Sequence, residues 1–148
     1  MEIPHPKRVL ILCTGNSCRS QIAEALWNHL APRRWQAFSA GSQPGDAVYP
    51  HAITVLAEMG LDIRKRRPKS IDAFAGQTFD LVVTVCDAAN QACPVFPSAA
   101  RRLHWPFDDP PGISGSEQDR LAATRRVRDE IAARIRAFLD QPELACPR

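Results

Sequence analysis

The chain has 148 residues, of which 45% are hydrophobic and 24% are charged, and its formal net charge is +3. These proportions are typical of a globular protein and argue against intrinsic disorder, collagen-like repeats and a membrane protein. The mild charge does not predict nucleic-acid binding, and we expect the dense basic run Arg64–Arg67 to be a solvated face. The length predicts a single domain over residues 1–148, with a frayed tail after about residue 141.

Five cysteines bear on the location of the protein. The N-terminus has no pattern typical of a signal peptide, and no apolar run approaches the ~18 residues that a membrane-spanning helix needs. In a reducing compartment, thiols persist for catalysis, redox exchange or metal binding rather than for structural bridges. We therefore expect a cytoplasmic protein whose cysteines carry chemistry.

The first part of the chain predicts two pairs of a strand and a helix. Arg8–Leu12 is typical of a buried strand and runs into a small polar loop. Apolar residues then recur at a four-residue spacing, which predicts a helix that Pro32 ends: Ile22, Leu26 and Leu30. The strand Trp35–Ser39 precedes a second helix, which begins at Pro50 and which Gly60 caps.

The second part predicts a short helical turn, two strands and a long helix: Ile71–Phe74, Asp80–Val85, Arg102–Trp105 and Ser116 to Asp140. Asp119 lies three residues after Ser116, which is the spacing of a capping box at the start of that helix.

Alternating strands and helices predict an α/β fold, a doubly wound sandwich with a four-stranded parallel sheet. In such folds, the loops that leave the carboxyl ends of the strands share one edge, and ligands bind there. We therefore expect Cys13, Cys86 and the loop at Asp108–Asp109 to converge.

The loop after the first strand has the form Cys-x5-Arg, from Cys13 to Arg19, and a helix follows it. A tight loop that enters a helix N-terminus directs several backbone N–H groups inward and forms a site for a tetrahedral oxyanion. Gly15 allows close backbone approach, and Arg19 can donate two hydrogen bonds. The same field favours a thiolate, so Cys13 is a candidate nucleophile.

The other loop residues have less specific roles. Asn16, Ser17 and Ser20 can hold the shape of the loop, and Ser20 can also donate to the thiolate, although ordinary helix capping explains both serines equally simply. Cys18 is expected to be a bystander.

Several motifs resemble those of the thioredoxin-coupled arsenate reductases built on the low-molecular-weight protein tyrosine phosphatase fold. They are Cys13-Thr-Gly-Asn-Ser-Cys-Arg-Ser-Gln, Val85-Cys86-Asp87, Cys93-Pro94-Val95-Phe96-Pro97 and His104-Trp105-Pro-Phe107-Asp108-Asp109-Pro110. The match spans about Arg8 to Leu139, and its motifs occur in the same order.

The resemblance implies that Cys13 attacks the arsenic of arsenate. It implies that Arg19 and the loop bind the oxyanion, through Thr14, Gly15, Asn16, Ser17, Cys18 and Ser20. Asp109 matches the general acid that protonates the departing oxygen, whereas Asp108 is expected to be structural. A turn capped by both aspartates is the alternative, because Asp-Pro is common in turns.

The resemblance also implies a relay in which Cys86 attacks the arsenylated Cys13 and Cys93 then attacks Cys86. Reduced thioredoxin would be the electron donor, and no bound cofactor or metal is expected. Taken alone, Cys86 could be a buried thiol and Cys93 a surface thiol. Zinc binding is disfavoured because the pair lacks a short spacing and His5, His29 and His51 show no ligand spacing, so these histidines are expected at the surface.

The sequence departs from the family pattern in two places. Phosphatases of this fold usually have a tyrosine after the Asp-Pro, but this chain has Pro111-Gly112, which counts against an aryl phosphate substrate. Some of the reductases bind potassium through an acid matched by Glu24 and another acid where this chain has Lys69; the ammonium of Lys69 either replaces the ion or is solvated. We expect a monomer that binds arsenate and thioredoxin. A phosphatase and a non-catalytic oxyanion or redox-sensing module remain alternatives.

Overall fold

The computed structural model describes residues 5–85 and 101–141. Within them lie four strands, β1 to β4 in chain order: Lys7–Cys13, Trp35–Gly41, Leu81–Thr84 and Arg102–His104. Three helices, α1 to α3, span Arg19–Leu30, Pro50–Ala57 and Glu117–Leu139. Two short 3₁₀ turns cover Ile71–Phe74 and Pro110–Gly112.

The strands form one parallel sheet in the order β2-β1-β3-β4. This confirms the predicted α/β fold with its four-stranded parallel sheet. β1 is central because Val9 pairs with Ala37 on one side and with Leu81 on the other. The first strand therefore ends with Cys13 in the interior of the carboxyl edge of the sheet, which is where ligands bind in such folds.

An aromatic cluster fixes α1 and α3 against the sheet. The ring of Trp27 lies with its centroid 5.5 Å from the rings of Trp35 and Phe138 and 5.8 Å from that of Trp105. These residues come from α1, β2, α3 and the residue after β4, and all four are buried. Burial of each aromatic side chain stabilises the fold by about 1.5–3 kcal/mol or more, so the cluster anchors the helix that carries Arg19.

The element boundaries follow the sequence signals with small differences. α1 begins at Arg19, earlier than its apolar spacing indicates, because the first turn packs into the Cys13 loop. α2 begins with Pro50 and ends at Ala57; Gly60 then adopts a positive φ of 77° and donates its N–H to the Ala57 carbonyl. The predicted capping box is confirmed, with Ser116 and Asp119 exchanging hydrogen bonds at 3.0 and 3.1 Å.

One surface prediction is wrong. The side chain of His51 is only 16% exposed, since it lies against the ring of Tyr49 and 3.3 Å from a carboxylate oxygen of Glu117. Among residues 5–85 and 101–141, no helix is both long and apolar enough to cross a membrane.

Candidate active site

The Cys13 thiol lies at the base of the loop between β1 and α1. It is buried, and two groups contact its sulfur: the Ser20 hydroxyl at 2.8 Å and the backbone N–H of Asn16 at 3.2 Å. Hydrogen bonds to the charged form of a group favour that form, so both contacts suit a thiolate.

The Ser20 hydroxyl also contacts Asn16. The side-chain amide of Asn16 donates to Ser20 Oγ at 2.7 Å, which leaves the serine proton free to point at Cys13. Capping does not explain Ser20, because the N-cap position of α1 is Cys18 and no side chain caps it. The geometry therefore favours the role of thiolate donor over that of a helix cap.

Asn16 adopts a left-handed conformation, with a φ of 50°, and is fully buried. Such a conformation is uncommon outside glycine and costs energy unless its surroundings hold it. Gln21 helps to stabilise this conformation, because its side-chain nitrogen donates to the Asn16 carbonyl at 3.2 Å and to Asn16 Oδ1 at 3.1 Å. The backbone N–H of Lys69 donates to the same Oδ1 at 2.8 Å.

The loop carbonyls are tied to the segment after β2. The backbone N–H of Gln43 donates to the Thr14 carbonyl at 2.9 Å. In the same way Gly45 donates to Gly15 at 2.9 Å, and Tyr49 donates to Ser17 at 2.8 Å. Because C=O and N–H point in opposite directions across a trans peptide, this arrangement turns the following N–H groups toward the inside of the loop. The loop is thus preorganised to bind an oxyanion.

Gly41 lets β2 approach this loop. A Cβ there would lie 2.4 Å from the Thr14 carbonyl oxygen and 3.0 Å from the Asn16 nitrogen. A Cβ on Gly15 would meet only Ser17 Oγ, at 3.4 Å. Close packing of β2 against the loop therefore requires glycine at position 41, whereas the approach of Gly15 to an oxyanion stays a prediction.

Arg19 connects the loop to the Asp-Pro segment. Its guanidinium donates to the Phe107 carbonyl at 2.9 Å and lies 3.4 Å from Asp109 Oδ1. Asp109 thereby lies beside Arg19, and its side chain is half exposed. Asp108 instead contacts Arg126 of α3 at 3.2 Å, which agrees with a structural role.

Cys18 has the opposite environment to that of a nucleophile. Burial raises the pKa of its thiol, and the charges of Asp109 and Cys13 raise it further, outweighing Arg19. The thiol therefore stays protonated at neutral pH, as a bystander would.

Glu24 of α1 lies behind the loop with its carboxylate largely buried. One oxygen accepts a hydrogen bond from Ser39 at 2.6 Å and lies 3.7 Å from Lys69 Nζ, while Arg66 pairs with the other oxygen. Burial lowers the pKa of both cationic side chains. Arg66 and Lys69 thus lie at Glu24, where some of the reductases that the chain resembles bind potassium, and this favours the alternative in which the Lys69 ammonium takes the ion's place. Within the basic run, Arg64 is solvated as expected, whereas Arg66 is only 33% exposed.

The structure brings Cys13, Arg19, Ser20 and Asp109 into one site. The relay cysteines Cys86 and Cys93 lie outside the described residues. Within the described ranges, no group of three metal-ligating side chains occurs.

Three residues of the site were missed in the sequence: Gln21, Gly41 and Arg66. Gly41 ends the strand next to β1 at the ligand edge, and that position was an available signal. Gln21 and Arg66 act through tertiary contacts that a local pattern does not predict.

This fold and loop define a phosphatase-type oxyanion site, and the family assignment agrees. The chain belongs to the low molecular weight phosphotyrosine protein phosphatase family, whose model matches residues 8–145.

Within that family, the similar proteins include arsenate reductases and also a low molecular weight protein tyrosine phosphatase from T. tengcongensis, whose structure matches with a TM-score of 0.74 at 26% identity, covering 90% of this chain and 98% of that one. The chain is 42% identical to the arsenate reductase of Halalkalibacterium halodurans over 134 residues, which are 90% of this chain and 96% of the relative. The structure of an arsenate reductase from Archaeoglobus fulgidus matches with a TM-score of 0.73 at 34% identity, covering 90% of this chain and 99% of that one. A thioredoxin-dependent arsenate reductase from Corynebacterium glutamicum matches with a TM-score of 0.72 at 29% identity, covering 98% of this chain and 65% of that one. The resemblance indicated by the motifs is confirmed.

Proposed function

We propose that this protein reduces arsenate to arsenite, with Cys13 as the nucleophile. The observation that carries the proposal is the buried Cys13 sulfur, which has two hydrogen-bond donors and lies within a preorganised oxyanion loop. Arsenate is a tetrahedral oxyanion of the size and charge that such a loop binds. The arsenate reductases among its relatives support arsenate over a phosphate ester.

The first step forms a bond between sulfur and arsenic. The Cys13 thiolate attacks arsenic while Arg19 and the loop N–H groups hold the oxygens, and Asp109 protonates the oxygen that leaves as water. The contact between Arg19 and Asp109 at 3.4 Å supports this division of roles, because it places the acid beside the anion-binding group.

The second step transfers two electrons to arsenic. The Cys86 thiolate attacks the Cys13 sulfur, the electron pair of the S–As bond remains on arsenic, and arsenite leaves as the Cys13–Cys86 disulfide forms. Attack by Cys93 then releases Cys13 and produces a Cys86–Cys93 disulfide, which reduced thioredoxin reduces.

The sheet register supports Cys86 as the resolving thiol. Val85, the residue before Cys86, donates its N–H at 2.9 Å to the carbonyl of Leu12, the residue before Cys13. The thioredoxin-dependent reductase of Corynebacterium glutamicum supports the choice of donor. We also propose a cytoplasmic location, because free thiols require a reducing compartment, and a monomer as the working form.

A coupled assay tests the whole cycle. NADPH oxidation with thioredoxin reductase, thioredoxin and this protein should depend on arsenate, and Cys13→Ser should abolish it. Cys93→Ser should stop after one turnover, with Cys13 and Cys86 joined in the peptide map. Cys146, the last of the five cysteines, has no part in the proposed relay, so Cys146→Ser serves as the control that retains turnover. Sustained turnover by Cys93→Ser would exclude the relay.

A tyrosine phosphatase is the second candidate, because the family includes such enzymes. Against it, the 3₁₀ turn after Asp109 contains Pro110, Pro111 and Gly112, and no aromatic side chain follows the Asp-Pro to contact an aryl phosphate. Turnover of tyrosyl phosphate without consumption of a dithiol, combined with no arsenate-dependent NADPH oxidation, would favour this candidate.

A further inference from the structure

We propose that Arg66 is a positioning residue for Cys13: its ion pair with Glu24 holds a loop whose backbone fixes Asn16. The proposal rests on the proposed function only where it concerns arsenate turnover. We call residues 66–69, the loop that carries Arg66, the brace.

The ion pair is built into the fold. The Glu24 side chain is 11% exposed, and a carboxylate so far from water needs a cation and hydrogen bonds to remain charged. Arg66 is the cation paired with one oxygen, and the other oxygen accepts a hydrogen bond from Ser39 and lies 3.7 Å from the Lys69 ammonium. Arg64, two residues earlier, is 76% exposed, and its guanidinium donates to the carboxylate of Asp62, two residues before it. The two arginines therefore differ in environment although they share one basic run.

The backbone of the brace contacts the catalytic loop and β2. The Arg67 carbonyl accepts a hydrogen bond at 3.1 Å from Gln21, and the Lys69 N–H donates to Asn16 Oδ1 at 2.8 Å. The Lys69 carbonyl accepts from the Gly41 N–H at 2.8 Å. These bonds are made by main-chain atoms, so they depend on where the brace lies and not on which side chains it carries.

Asn16 connects the brace to the reacting sulfur. Its N–H contacts Cys13, and its side-chain amide holds Ser20 in the orientation that donates to the same sulfur. Asn16 stays in its left-handed conformation through contacts with Gln21 and the brace. Loss of the Arg66 ion pair would release one end of the brace, loosen Asn16 and weaken both donors to Cys13.

The test compares Arg66→Met with the matched control Arg64→Met, which removes an equal charge two residues away. The first readout is the rate at which iodoacetamide alkylates Cys13 in the folded protein, followed over pH and located by peptide mapping. It needs no arsenate, so it is independent of the proposed function. The second readout is kcat/KM for arsenate.

Arg66→Met should slow Cys13 alkylation at neutral pH and lower kcat/KM, each by roughly ten-fold, because sub-ångström displacements at a reacting centre have effects of this order. Arg66→Lys should restore most of both, and Arg64→Met should match the wild type. Alkylation of Arg66→Met at the wild-type rate over the whole pH range would overturn the proposal, as would an equal loss in Arg64→Met.

A double variant covers the case in which Arg66→Met fails to fold because it leaves the buried carboxylate with only the more distant Lys69 ammonium, at 3.7 Å, as its cation. Glu24→Gln combined with Arg66→Met removes both charges and keeps the shape of the glutamate side chain. Slow Cys13 alkylation in a folded double variant would support the positioning role, and wild-type alkylation there would exclude it. A different outcome separates the two proposals. If the Cys13 alkylation rates change as expected but no protein, the wild type included, turns over arsenate, the proposed function alone is contradicted.

Discussion

Gly41→Ala is expected to damage the active site more than it damages the fold. The added Cβ would lie 2.4 Å from the Thr14 carbonyl oxygen, which is roughly 1 Å closer than an ordinary van der Waals contact. Both partners are backbone, so no side chain can rotate away, and β2 or the Cys13 loop must move. The Asn16 nitrogen, which contacts the Cys13 sulfur, lies 3.0 Å from the same Cβ and is crowded as well.

The size of the effect follows from the two consequences of this clash. Overpacking of a tight site typically costs about 1–3 kcal/mol, which a domain with about 5–15 kcal/mol of stability tolerates. A displacement of about 1 Å at reacting groups costs about 10²-fold in rate. Gly41→Ala should therefore fold while its kcat/KM for arsenate falls by about two orders of magnitude.

The assay combines arsenate-dependent NADPH oxidation with urea denaturation of the same preparations. Gly45→Ala is the matched control: it lies on the same segment and donates to the same loop, but its added Cβ would have its nearest neighbour at 3.8 Å. It should retain activity. Near-wild-type kcat/KM in a folded Gly41→Ala protein would refute the argument that the loop needs this close approach.

Four further predictions follow from the described contacts. Asp109→Asn should lower kcat by roughly 10²–10⁴-fold, as expected for a general acid, and Asp108→Asn should lower it much less; steady-state kinetics that gave the reverse order would transfer the role. Cys18→Ala should keep kcat/KM within a few-fold, because the raised pKa of that thiol keeps it protonated; a complete loss of turnover would contradict this. Hydrogen bonds from Arg125 hold the pKa of Glu58 below its usual value, so Glu58→Gln should lower the free energy of unfolding by up to about 1 kcal/mol at neutral pH. That difference should vanish as the pH falls through the depressed pKa, and urea titrations that show a constant difference down to acid pH would exclude the ion pair as its cause. Finally, exchange of potassium chloride for choline chloride at equal ionic strength should leave kcat/KM unchanged, because the protein's own cations contact Glu24; a potassium-specific activation would show that they do not replace an ion.

Local patterns predicted the elements that carry the chemistry. The apolar run before Cys13 and the loop to Arg19 place both residues correctly, because strand and helix N-terminus are encoded within a few neighbouring residues. The parallel sheet then places Asp109 near Arg19 without any pairing signal between them.

The misses share a physical cause, which is contact between segments far apart in the chain. Glycine next to the nucleophile is a local signal, whereas the need for Gly41 arises only where β2 meets the loop. Arg66 belongs to a run of charges that would be solvated on most surfaces, and only the buried Glu24 on another element gives it a partner. Asparagine adopts a positive φ more readily than most residues, and at Asn16 the contacts that hold this conformation come from Gln21 and from Lys69, 53 residues away.

The aromatic cluster has an optical consequence. The chain has three tryptophans, and Trp27 contacts both of the others, with Trp105 stacked on it at an interplanar angle of 10°. Indole transition dipoles this close couple, so the near-ultraviolet circular dichroism should report one interacting set of chromophores instead of three separate ones. Trp105 lies four residues before Asp109 on the same segment, and that spectrum therefore follows movements of the acid-bearing segment without any introduced label.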